Sequence, residues 1–573
     1  MSEEIIDTSG INIVPSQLKK IKVFLGGKDT LSTSNFIERL AEVYEERSVI
    51  LLDQPIKTPY FEGNVISYRD LDRLVQRAAC MLKKLGVKKG DRVGLMTLNR
   101  IELAFVEFGA QRLGAVPVPL NFMLTTDEVA ELVGRCGAKV MVVDRGVYAN
   151  NIKDIKNMPG VEQWLMVTAK DIPEGFQSFD KLMTEAEESA ESVEVADDDP
   201  AIIFFTAGTT GMPKGAVLTS GGMLHAFRKY TVLSSFMPTP TGRLALLVMP
   251  LAHTGGHQNL LLNLAMATPA LMMGRFDPTR ILDLIEQYKV SWFAGIPTMF
   301  RMLVAAGAAD RDLSSIRLWG GGGDAFPAEL IQQMRDLTAR KVGPFTTKAV
   351  FVTGYGLAET AGQVSLSPPF AAGDNCVGWF MPGVQWRLVD EQGHDVHEGQ
   401  VGELLLQTGG LMRDYYNMPE ETAKAIQDGW FYTGDLMRRG DHGLFFFESR
   451  SKEMIKVGGY SVYPAEVEKS LEKHPQVEKA AVVGLPHPTK GELPCAGVVR
   501  VAGATITEDE LMEWSRKEIA AYRCPRRIVF VDAIPLNFGM KPLRKDVRKD
   551  FLARGITVES RSDKQRKKLQ VEA

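Results

Sequence analysis

The chain has 573 residues, 45% of them hydrophobic, which is enough for about three to four domains with large cores. Its 67 basic and 71 acidic residues leave a net charge of -4, so no overall field recruits nucleic acid or an anionic membrane. Five cysteines far apart, without a CxxC pair, argue against a disulfide framework or a zinc site, and neither a basic-then-apolar leader nor an apolar run of about 18 residues is present; a cytoplasmic protein without a membrane span is expected.

The first 50 residues hold an amphipathic stretch around Phe36 to Tyr44 and a strand-like SVILLD. Ser67 and Asp70 make a capping-box pattern that opens a helix with Leu71, Leu74, Val75, Ala78, Leu82 and Leu85 on one stripe, ended by Gly86. A strand RVGLMTL, a helix from Glu102 to Leu113, a strand AVPVPL, a helix near Thr126 to Arg135 and a strand KVMVVD follow. This alternation predicts α/β units around a mostly parallel sheet.

A more polar segment, residues 146–199, leads to the apolar run Ile202 to Phe205, which empties into Thr206, Ala207, Gly208, Thr209, Thr210, Gly211, Met212, Pro213, Lys214 and Gly215. Glycines let backbone N–H groups approach an oligophosphate, Thr hydroxyls add donors, and Lys214 adds a mobile positive charge. The spacing is not the Walker pattern, and alone it also suits an ordinary hairpin turn.

The alternation then resumes with LALLVMPLAH ending at His253, the helix ILDLIEQYK, the strand VSWFAGIP, IRLWGGGG and AVFVTGYGLAET. Residues 374–449 change to short strands with turn signals and predict a small β-barrel subdomain. The joint at Arg450 to Glu453 then precedes a compact α+β unit. The expected fold is therefore a large N-terminal α/β body, residues 1–450, with a smaller mobile α+β C-terminal domain, residues 451–573. The basic tail is read as a solvated segment rather than a nucleic-acid site.

Four further islands repeat the theme of nucleotide and carboxylate binding. In Gly354-Tyr355-Gly356-Leu357-Ala358-Glu359, Tyr355 offers a flat face for a purine and Glu359 a hard oxygen ligand for Mg²⁺, although a Tyr beside Gly is commonly packing. Tyr432-Thr433-Gly434-Asp435 carries a carboxylate suited to ribose hydroxyls. The joint RSKEMIKVGGYSVYPAEVE and a late loop around Lys541 complete the set.

In this order and spacing the islands, from about Tyr68 to Arg548, resemble the AMP-forming acyl-CoA synthetases of the adenylate-forming enzyme superfamily. The resemblance implies that Thr206, Ala207, Gly208, Thr209, Thr210 and Lys214 meet ATP phosphates, and that Gly322, Gly323, Gly354, Tyr355, Gly356 and Ala358 surround the nucleotide. It gives Glu359 to Mg²⁺, Asp435 and Arg450 to the ribose, Lys456 to AMP, Lys452 to the hinge, and Arg275, Gly458 and Gly459 to CoA. Lys541 and His253 take the catalytic roles. The acyl pocket is expected from His253, Gly256, Trp319, Gly320, Gly321, Gly354 and Gly356.

The implied reaction is ATP + carboxylate + CoA → acyl-CoA + AMP + pyrophosphate, in fatty acid metabolism, with a homodimer as a possible assembly. Acetate-specific relatives carry Trp where Gly356 stands, so a medium-chain, branched or cyclic acid is expected. Three positions depart from the family: Ala207 for Ser, Ala358 for Thr, and Met540 for the Gly before the lysine. They keep two alternatives in view, an acyl-AMP ligase or luciferase-like enzyme that does not use CoA, and a weakened nucleotide- or acyl-binding regulator.

Overall fold

A computed structural model describes residues 31–152, 158, 160–167, 171–206, 213–236, 244–323, 326, 328–369, 375–390, 392–450, 455–458, 460–462, 464–535 and 544–558. The N-terminal body is built on two sheets with parallel cores. One has the order Val116–Pro119, Arg92–Met96, Ala138–Asp144, Gln163–Val167, Gln177–Ser178, all parallel. The other runs Val350–Thr353, Leu318–Gly321, Trp292–Gly295, Ala245–Leu247, Ala270–Met272, Ser48–Thr58, and ends in the antiparallel strand Phe61–Ser67. Their central strands are apolar on both faces because helices cover both.

The helices begin and end where their local chemistry dictates. Ser67 Oγ accepts from the Asp70 N–H while the Ser67 N–H donates to Asp70, and this reciprocal cap opens Tyr68–Lys84. Helix Ile101–Arg112 is buried on every side, so its polar residues are paired. Glu107 meets His257 at 2.6 Å, Gln111 donates to Ala201 O, and Arg112 pairs with Asp72.

The strand expected over Ile202 to Phe205 is Pro200–Thr206, and it returns antiparallel as Lys214–Thr219, with Asp414–Tyr415 on the outer side. The phosphate loop therefore joins a hairpin, not a strand to a helix. In residues 365–450 the antiparallel strands pair in the order Ser365–Leu366, Cys376–Phe380, Phe445–Arg450, Trp430–Arg439, Val401–Gln407, Gln385–Val389. Among the described residues the two end strands do not pair with each other, so the strands form an antiparallel sheet and the small β-barrel expected is not confirmed.

The C-terminal unit is α+β. Its sheet of Tyr460–Val462, Ile455–Val457, Gly491–Arg500, Val477–His487 and Arg527–Phe530 is covered by helices Pro464–Leu471, Glu508–Glu518 and Arg544–Ala553. It has its own core, with Val482, Leu493, Leu511 and Phe551 among its buried members. Among the described residues no helix is long and apolar enough to cross a membrane.

Candidate active site

A cavity of about 540 Å³ lies between helix Thr254–Met266 and one face of the seven-stranded sheet. Strand register explains the space. Ala294, Gly320 and Val352 stand side by side on adjacent strands, all line the cavity, and are all small or medium. Two residues below, Trp292 and Leu318 form the next row. The helix contributes Gln258, Leu262 and Met266, one turn apart, to the opposite wall.

The alternate residues of the same strands face the other way. Phe293, Trp319 and Phe351 pack there with Phe300 in a buried aromatic cluster. Trp319 is 0% exposed, and its indole N–H donates to Met334 O at 3.0 Å. It does not line the cavity, and the expectation that it shapes the acyl pocket is corrected: Trp292 is the tryptophan on that face.

Gly256 is also outside the lining. A Cβ there would stand 2.1 Å from Pro250 O, so the glycine lets the first helical turn pack on the preceding chain. Gly354 and Gly356 do line the cavity, but neither leaves a void for a substrate. A Cβ on Gly354 would meet the Gln363 amide at 1.8 Å, and one on Gly356 would meet Gly362 O at 2.2 Å across the hairpin of Gly356–Leu357 and Gly362–Gln363. Glycine at 356 is set by the close approach of two backbones, which replaces the expectation that it holds room for a larger acid.

His253, Gly320, Gly321, Gly322, Gly323, Tyr355 and Ala358 all reach the cavity. His253 caps the helix, its Nδ1 accepting from the Gly255 N–H, and its ring is exposed. Tyr355 donates its hydroxyl to Asp435 Oδ2 at 2.6 Å, and Asp435 is 1% exposed. Arg450 stands opposite Asp435 in the antiparallel ladder, so the two residues assigned to ribose share one rung.

Beside this lies a polar network that ties the hairpin to the Glu359 turn. Lys214 Nζ is 2.5 Å from Glu421 Oε2 and sits over the Tyr415 ring, 4.9 Å from its centroid. Tyr415 donates its hydroxyl to Glu359 Oε1 at 2.8 Å. Lys214, with Lys424, holds the Glu421 carboxyl down to about 2. Sequence reading missed Tyr415 and Glu421. Their one local signal was Pro419 at the start of helix Pro419–Ala425, with Glu420 and Glu421 in its first turn.

The C-terminal domain completes one side of the cavity. Gly458, Tyr460 and Lys490 line it together with Arg275 and Thr298 of the body. Gly458 has φ +58°, and a Cβ there would be 3.4 Å from Thr298 Cγ2. Ala207, Gly208, Thr209, Thr210, Lys452, Gly459 and Lys541 lie outside the described residues. Of Lys456 the backbone is described, paired with Ser461. Among the described residues no group of three His, Cys, Asp or Glu is placed to hold a metal ion.

Residues 38–416 match the family model of the AMP-binding enzymes, and residues 466–538 match that of the AMP-binding enzyme C-terminal domain. A 4-coumarate-CoA ligase of Narcissus pseudonarcissus is 30% identical over 508 residues, which cover 87% of this chain and 90% of that one. A feruloyl-CoA synthase of Amycolatopsis is 32% identical over 495 residues, 85% of this chain and 94% of that one. Among solved structures, a fatty acyl CoA synthetase of Mycobacterium tuberculosis superposes with a TM-score of 0.65 at 26% identity, covering 91% of this chain and 98% of that one.

Proposed function

The chain belongs to the AMP-binding enzymes, and we propose, taking it as an acyl-CoA ligase of that family, that it activates an apolar carboxylic acid larger than acetate. The reaction is ATP + carboxylate + CoA giving acyl-CoA, AMP and pyrophosphate. One observation carries this reading: a single cavity is walled both by Gly322, Gly323 and Tyr355, the cap, and by Gly458, Tyr460 and Lys490 of the C-terminal domain. An acid held along the sheet face can meet a nucleotide at the cap and a thiol arriving past Gly458.

The cap suits the nucleotide. Tyr355, held by its bond to Asp435, offers a fixed aromatic edge to the base, and Asp435 and Arg450 on one rung are assigned to the ribose. Thr206 and Lys214, with Ala207, Gly208, Thr209 and Thr210, are assigned to the phosphates. The acid must approach an anionic phosphorus, and two unit charges about 4 Å apart repel by roughly 4 kcal/mol at an effective dielectric near 20. Lys541 is assigned to cancel that repulsion as the acyl-AMP forms. His253, exposed at the cavity, is assigned to orient the acid.

Mg²⁺ fits at Glu359. One carboxylate oxygen is committed to Tyr415, and among the described residues the other has no protein partner, the arrangement expected of a cation held by one carboxylate and substrate phosphates. When bound, it would neutralise phosphate charge. Arg275, Gly458, Gly459 and Lys456 are assigned to CoA and AMP, with Lys452 as the hinge.

The two relatives named above act on phenylpropanoid acids, 4-coumarate and ferulate, which supports a cyclic acid over a fatty chain for the same pocket. That all the named relatives are CoA ligases or synthetases disfavours the readings without CoA. A cytoplasmic location is supported by five cysteines that form no disulfide. The test is AMP formation over a panel of acetate, hexanoate, benzoate and cinnamate with and without CoA. Turnover that requires CoA and prefers a cyclic acid is expected, and a clear preference for acetate would overturn the acid class.

A further inference from the structure

Trp292 sits on the cavity face of the sheet in a way that its sequence neighbours do not require. Strand Trp292–Gly295 alternates, so Phe293 goes to the aromatic core while Trp292 and Ala294 face the cavity. Trp292 is partly buried and packs against the main core cluster. Its polar tip is turned toward the cavity, with Nε1 lying 3.5 Å from where a Cβ on Gly320 would stand, and Gly320 is itself a cavity residue.

Among the described residues this indole N–H has no acceptor, whereas Trp319 donates to Met334 O and Trp379 donates to His442 O, both at 3.0 Å. The residue is half-buried, so a ligand that fills the cavity must either pair this donor or leave it unsatisfied. The cavity lining mixes apolar Leu318, Val352, Leu262, Met266 and Met299 with polar side chains such as Gln258, Asn259 and Gln363, none of which bonds the indole. Ser291, the polar neighbour in sequence, has its hydroxyl engaged with Leu244.

We infer that Trp292 is a specificity-determining residue, and that its indole N–H donates to an oxygen carried by the acid itself, a hydroxyl, ether or carbonyl on the part remote from the carboxylate. The inference rests on the ligase reading and deepens it. The depth of that oxygen follows from strand geometry. The Gly320 row lies two residues from the Gly322 cap, or about 7 Å at the usual rise of a strand. An oxygen that far from the reacting carboxylate belongs on the distal edge of an aryl ring or at an equivalent place on a chain. Gly320 is what keeps the approach open, since any side chain there would cover Nε1.

Two pairs of near-isosteric acids test this: 4-methoxybenzoate against 4-ethylbenzoate, and 4-methoxycinnamate against 4-ethylcinnamate. Each pair holds size constant and changes one acceptor, and the two pairs bracket the depth. In the native enzyme kcat/KM should favour the methoxy member of at least one pair by about tenfold, the scale of one hydrogen bond to a donor otherwise left unpaired. In Trp292→Phe the ratio should fall to about one. Gly320→Ala, which shields Nε1 and leaves the indole in place, should also lose the preference, so the test stands if Trp292→Phe fails to fold.

Calorimetric binding of the same acids reads the ratio without turnover. If no acid gives AMP, the ligase reading fails; the present inference fails when the native protein shows no methoxy preference in either pair, or when Trp292→Phe keeps it.

Discussion

Glu421 accepts two cations at once, Lys214 at 2.5 Å and Lys424 at 2.8 Å, and its side chain is 21% exposed. These partners move its carboxyl from 4.5 to about 2, the Lys214 bond contributing most. The sign follows from linkage: the folded state holds the charged form better than the unfolded chain does. The stabilisation is therefore fully present above about pH 4.5 and is lost as pH falls through 2. The stability difference between the native protein and Glu421→Gln should be level from neutral pH down to about 4.5 and then shrink toward zero, measured as chemical unfolding at a series of pH values. A difference that persisted unchanged at pH 2 would mean the pair is not what Glu421 contributes. The same substitution should loosen the ring of Tyr415 on Lys214, and through it the orientation of Glu359.

The hairpin of Gly356–Leu357 and Gly362–Gln363 tests what a glycine in a binding motif is for. If position 356 set the size of the acid, Gly356→Ala would shift preference toward smaller acids. The structure predicts something else. A methyl group 2.2 Å from Gly362 O must push two strands apart, so Gly356→Ala should lower the melting temperature and depress kcat/KM for all acids alike, with overpacking of this kind typically costing about 1–3 kcal/mol. A selective loss of large acids with unchanged melting would restore the simpler view.

Much at this scale was legible beforehand. The capped helix after Ser67, several strands of the parallel sheets and the strand that enters the phosphate loop carry strong local signals of capping, alternation and glycine, whereas the return strand Lys214–Thr219 was not read. The tryptophan facing the substrate was not legible. Alternation assigns Trp292 and Trp319 to opposite faces, but which face becomes the cavity depends on where helix Thr254–Met266 settles. The Lys214 pair was hidden for a related reason, since its partner is 207 residues away in sequence.

At the scale of the whole molecule, two separately cored domains are joined, among the described residues, by an ion pair. Arg523 Nη1 lies 2.7 Å from Glu128 Oε1, and the two side chains are only 3% and 14% exposed. Glu128 is already fixed, because its other oxygen accepts from the Thr125 N–H in the cap of helix Thr126–Cys136. Arg523 is fixed as well, its Nε bonding to the Tyr522 hydroxyl. The Tyr522 ring packs at 4.7 Å on Tyr460, which lines the cavity. A chain of contacts thus runs from the body through Glu128, Arg523, Tyr522 and Tyr460 to the side of the cavity where Gly458 stands.

Removing one member of a buried pair leaves the other uncompensated, which commonly costs about 3–5 kcal/mol. Because the C-terminal domain has its own core, that cost should fall on docking and not on folding of the domain. Arg523→Ala should therefore leave melting of the domain close to native while weakening the docked arrangement that brings Gly458 to the cavity. If that arrangement serves thioester formation, transfer from preformed acyl-AMP to CoA should slow by tenfold or more, and acid-dependent pyrophosphate release should change much less. Glu128→Gln, which keeps an oxygen for the Thr125 cap, should behave the same way, and the double variant should be little worse than either single one, because both remove the same ion pair. Equal loss in both half-reactions, or additive effects of the two substitutions, would show that the pair holds the structure together without selecting a docked state.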